Sequence, residues 1–97
     1  MTTFSTRLPN LSGKVVVLYL ANRNYEHVVV MEDPIYELQG ERLFLCGSIP
    51  EGVSPNDWAT GIRSSVAWDH VEEYLVFESL EDYLSRAALA AEEGYLQ

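Results

Sequence analysis

Val66-Ala67-Trp68-Asp69-His70-Val71-Glu72-Glu73-Tyr74-Leu75-Val76-Phe77 sets two apolar runs around a centre of acids and one histidine. That centre reads either as a metal or acid–base site, or as a polar reversal between two strands. A metal site needs three or four converging ligands at defined spacing. The chain has two histidines, His27 and His70, in neither an H-x-x-x-H nor an H-E-x-x-H arrangement. A working carboxylate pair needs a cleft and two environments that separate its pKa values. A reversal needs less. One 3₁₀ turn suffices, with Asp69 at its start accepting from amides further on. Val71 then points inward, and His70, Glu72 and Glu73 point to water. On this reading Ile62–Trp68 is one strand, with Ile62, Ser64, Val66 and Trp68 sharing a face. Tyr74–Phe77 is the last, short strand.

Working back from there, Lys14–Ala21 is a strand built on three consecutive valines, whose branched Cβ suits a pleated surface. "ANRNYE" (21–26) turns the chain, with Asn22 and Asn24 as turn formers. A second strand covers Glu26–Met31. Pro34 marks a bulge, an edge or a stop, beyond which Ile35 and Tyr36 can continue the strand. Gln39-Gly40 turns into a third strand, Glu41–Ser48. "IPEGVSPNDWATG" (49–61) is a long connection broken by Pro and Gly, with room for one helical turn from Ser54-Pro55 to Trp58.

After the last strand, Ser79 caps a helix over 79–92, and Asp82 three residues on completes a variant capping box. Leu80, Tyr83, Leu84, Ala87 and Ala91 form its apolar stripe, with Leu84 as the expected anchor. Gly94 ends it. Residues 1–12 read as a flexible arm and 13–97 as a single domain of the 97-residue chain.

The apolar runs are nearly continuous, so both sheet faces are at least partly covered. The gaps between strands are too short for crossover helices, which leaves an antiparallel meander. Five strands, a long third connection and a tight polar turn before the last strand resemble the SH3-like barrel in layout. The expected fold is therefore mainly β: a five-stranded, partly open antiparallel barrel of SH3-like layout with a C-terminal helix. Such a fold hosts many activities and fixes none of them.

The chain carries 6 basic and 15 acidic residues, a net charge of −9. From Val66 onward Asp69, Glu72, Glu73, Glu78, Glu81, Asp82, Glu92 and Glu93 face Arg86 alone. Such a field repels nucleic acid and anionic membrane and attracts a basic partner. No Gly-rich phosphate loop and no nucleophile–base–orienter set occurs. The single cysteine, Cys46, lies in an apolar run and reads as a buried thiol. "MTTFSTRLPNLSGK" (1–14) has no apolar signal core, which gives a cytoplasmic expectation.

The expected function is a non-catalytic module that binds a protein partner, without metal or cofactor. A charge-mimicking inhibitor of a basic site and a small-ligand sensor are the alternatives. Trp58 and Asp57 in the long loop, Tyr25, Tyr36, Glu72 and Glu73 are the candidate binding residues, since Trp and Tyr dominate binding hot spots. A homodimer is also expected, because one short helix covers little of the apolar sheet.

Overall fold

The computed structural model describes residues 8–21 and 28–92. The chain is mainly β. Five antiparallel strands form one sheet, β1 (Val15–Leu20), β2 (Val28–Gln39), β3 (Arg42–Ser48), β4 (Arg63–Ala67) and β5 (Val71–Phe77), followed by helix α1 (Leu80–Glu92). The strand order is β4-β3-β2-β1-β5. β4 and β5 are the two edges, so the sheet is curled but not closed, as expected for a partly open barrel.

Side-chain alternation splits the valine run of β1 between two cores. Val16 and Leu18 join Met31, Leu45, Val66 and Leu11 on the inner face. Leu18, Met31, Leu45 and Val16 are fully buried there. Val15 and Val17 join Val30 on the outer face, where Val53, Phe77, Leu80 and Tyr83 pack over them. This is why the run is continuous: each face of β1 has its own cover.

β2 runs through Pro34 as one strand. Its register to β3 shifts between Glu32 and Ile35. Asp33 takes a positive φ of 52° in that bulge. Its carboxylate accepts from the Gly13 amide at 3.3 Å. Gly47 lies where β3 passes this kink. A Cβ there would sit 2.9 Å from the Glu32 carbonyl oxygen, so only glycine fits without a shift.

The polar reversal is a 3₁₀ turn over Trp68–His70. Three expectations around it change. β5 begins at Val71, so Glu72 and Glu73 lie in a strand and not in the turn. The ladder pairs Tyr19 with Glu73 but Leu20 with Val71, so Glu72 is the extra residue of a bulge. The bulge lets a polar segment continue the strand. Asp69 caps nothing, because its carboxylate accepts from Arg42 Nη2 at 3.0 Å. Ile62 is 57% exposed and shares no buried face with Val66. It belongs to the loop closure, donating its amide to Ala59 and accepting from Ile49. Val71 does pack on the inner core, as expected.

Leu11, assigned by sequence to the arm, is 3% exposed in the inner core. The Pro9 carbonyl accepts from the Tyr36 hydroxyl at 2.7 Å. Pro9 and Leu11 therefore pack onto the sheet. Phe4, and the turn residues Asn22 and Asn24, lie outside the described residues.

Candidate functional site

The acid–histidine segment does not converge. Asp69 accepts a hydrogen bond from Arg42, and that bond, with the guanidinium charge behind it, holds its carboxyl below the usual range. His70 is exposed at the rim of a cavity of ≈ 260 Å³ that Leu20, Val29, Ser64 and Val66 also line. Glu72 and Glu73 project from β5 into solvent, in no ion pair among the described residues. No group of three or more metal-ligating side chains occurs among the described residues.

The other candidates separate. Asp57 holds the long loop: its carboxylate accepts from the Gly52 amide at 2.7 Å and the Thr60 hydroxyl at 3.1 Å. Ala59 and Pro50 anchor the same loop in the interior. Trp58 is 77% exposed. Its neighbours Asp57 and Ala59 are held, so the indole is carried outward on a fixed loop. Tyr36 is engaged internally. Besides its bond to Pro9, its ring meets Trp68 edge-on at 5.5 Å. Burial and then Tyr74 raise the Tyr36 phenol above its ordinary value. Tyr25 and His27 lie outside the described residues.

Sequence reasoning missed the outer side of β5. Tyr74, Leu75 and Val76 are 37%, 41% and 44% exposed. β5 has β1 on one side and, among the described residues, no strand on the other. Hydrogen-bond phase shows what that free side offers. The Asp33 amide donates to the Lys14 carbonyl, so that carbonyl faces β2. Peptide groups alternate along a strand, so the polar groups of Val15, Val17 and Tyr19 face β5. The Ala21 amide, which donates to His70, keeps the same phase at the other end. Phe77, Leu75 and Glu73 are their ladder partners. The backbone groups of Tyr74 and Val76 therefore point outward, away from the sheet.

An apolar groove of ≈ 440 Å³ lies against this strand on the outer face. Val17, Tyr19, Val28, Leu75 and Phe77 form its floor, and Tyr83, Arg86, Ala87 and Ala90 of α1 form its wall, with Arg86 paired to Asp82 at 2.8 Å. Phe77 and Tyr83 lock the wall to the floor, edge to face at 5.3 Å. Burial, with Tyr19 adding, raises the Tyr83 phenol. The helix stripe thus runs through Ala87 to Ala90, while Ala91, placed in it by spacing, is exposed. The signal for this surface was present as four consecutive large apolar residues in Tyr74–Phe77, but its meaning depends on β5 being an edge.

Cys46 is buried on the far half of the same face, within 3.2 Å of the Ser65 hydroxyl and 3.6 Å of Glu37 Oε1. No helix among the described residues is long and apolar enough to cross a membrane. No protein family, curated protein or solved structure matches the chain.

Proposed function

We propose that this protein is a non-catalytic interaction module and that its partner, another protein, seats on the β5 surface. One observation carries the reading: three successive large apolar side chains are exposed on a strand whose outer edge is unpaired among the described residues. An edge of this kind is a template for association, and folded proteins usually blunt it with lysine, proline or shortness. β5 has seven residues and neither lysine nor proline. The exposed Trp58 offers a second anchor on the long loop.

The test is capture from a lysate of the source organism with the tagged full chain. Wild type and Ser64→Asp, on the opposite edge, should retain the same partner. Leu75→Asp should lose it while keeping the circular dichroism of the fold. A partner held equally by Leu75→Asp overturns the assignment to β5. Capture that collapses in about 0.5 M salt favours the charge-mimicking inhibitor instead, since screening at that strength removes exposed charge pairs.

A further inference from the structure

We infer that β5 takes up an extended segment of a basic partner as a sixth strand, running antiparallel, with alternate side chains against the groove. This rests on β5 being the partner surface and adds how the partner binds and what its chemistry is. The outward backbone groups of Tyr74 and Val76 supply the ladder, the mode known as strand addition. Antiparallel pairing continues the pattern of every pair in the sheet and is the more stable per residue.

Register then sets the partner's pattern. Leu75 and Phe77 lie on the outer face and floor the groove. Partner residues opposite them put their side chains on that same face, and apolar ones belong there. The residue opposite Leu75 forms a non-hydrogen-bonded pair, in which side chains approach most closely. Two residues further on, the partner meets Glu73, and then Glu72. From its N-terminus the segment reads apolar, any, apolar, any, basic.

Charge disfavours a second copy as the occupant, although Lys14 already pairs with Glu78 at 2.6 Å. The antiparallel register that aligns Tyr74, Leu75 and Val76 with themselves places Glu72 opposite Glu78 of the other copy, twice. Like charges directly opposite destabilise a pair. A net charge of −9 repels a second copy at longer range as well.

The probe is the labelled peptide acetyl-Thr-Ile-Thr-Ile-Thr-Lys-Lys-amide, titrated into the full chain by fluorescence polarisation. It should bind about tenfold more tightly than its Glu-Glu counterpart, given two cross-strand charge pairs. The Glu72→Lys, Glu73→Lys double variant should reverse that preference. N-methylating the second and third threonines, whose amides would face β5, should abolish binding. Val76→Pro should do the same, because the amide it removes points outward.

Binding that survives both backbone changes overturns strand addition and leaves a side-chain-only interaction module standing. So does a lysate partner retained by Val76→Pro but lost by Leu75→Asp. No binding of either peptide at millimolar concentration also overturns the inference. A wild-type dimer in sedimentation that Val76→Pro converts to monomer assigns the edge to a second copy and overturns the basic partner. If Val76→Pro fails to fold, the methylated peptide and the charge reversal still decide.

Discussion

The two edges of this sheet are built on opposite plans. β4 is Arg63-Ser64-Ser65-Val66-Ala67, five residues with one large apolar side chain, and that one is turned into the core. Its Arg63 reaches Glu37 of β2 at 2.8 Å, across the intervening strand. β5 is longer, exposes Tyr74, Leu75 and Val76, and leaves Glu72 and Glu73 without an ion pair among the described residues. One edge is polar, short and tied down. The other carries apolar side chains together with backbone and charge that have no partner among the described residues. The difference teaches that edge protection is written strand by strand, and that its omission at one edge marks a surface.

Proline breaks the comparison most sharply. The Leu75 amide faces β1, so Leu75→Pro should cost roughly 3 kcal/mol through a lost ladder bond and an unsatisfied carbonyl. Val76→Pro, one residue on, should stay within about 1 kcal/mol, as an outward edge position allows. Equal midpoints in urea would break the assigned phase, and with it the reading of β5 as an open edge.

The β5 side leans on α1, so the helix is the next lever. Leu84 is only half-buried, with its Cδ2 in contact range of Gly52, where a Cβ would stand 3.3 Å away. Leu84→Ala should therefore cost about 1–2 kcal/mol, below the range for a fully buried leucine. Gly52 itself holds a φ of +85°, which favours glycine. The Ser79 hydroxyl accepts from the Asp82 amide at 3.0 Å. Its loss in Ser79→Ala should cost about 1 kcal/mol in chemical denaturation. Loss of groove binding with an unchanged midpoint in either variant would make the helix a recognition element rather than a brace.

His70 and Glu73 carry no load in the fold. Changing both to Ala should move stability by no more than about 0.5 kcal/mol. Divalent metal should leave the wild-type melting temperature unchanged, and a rise that the double variant abolishes would restore the metal reading of the segment.

Acid titration should separate the two edges by the smallest margin. Gln39, then Arg63, holds the Glu37 carboxyl below its ordinary value in the folded chain. A carboxyl depressed by folding stabilises above its unfolded pKa, and that contribution is lost as pH falls through the folded value. A shallow loss of stability below the ordinary carboxylate range should shrink in Glu37→Gln, leaving the part that Asp69, held by Arg42, contributes. The full loss should persist in Glu72→Gln.

Most of the architecture was legible. The valine runs, Pro34, the glycines at turns and the Ser79 cap are local signals, and each acts within a few residues. The candidate site was much less legible. Trp58 and Asp57 look alike in a polar loop, yet Asp57 is a structural acceptor and Trp58 is solvent-exposed. Tyr36 reads as surface aromatic area until its hydroxyl is found on Pro9, 27 residues away in sequence.

The sequence by itself determined the strands, the capped helix and the antiparallel pairing, because side-chain period, turn chemistry and loop length are properties of short stretches. Tertiary structure alone decided which strands are edges, which backbone groups face outward, and that Leu75 and Phe77 floor a groove walled by α1. Those depend on pairings such as Val17 with Leu75. An apolar residue in a central strand and one at an edge follow the same local pattern, and only the presence or absence of a neighbouring strand gives that pattern its meaning.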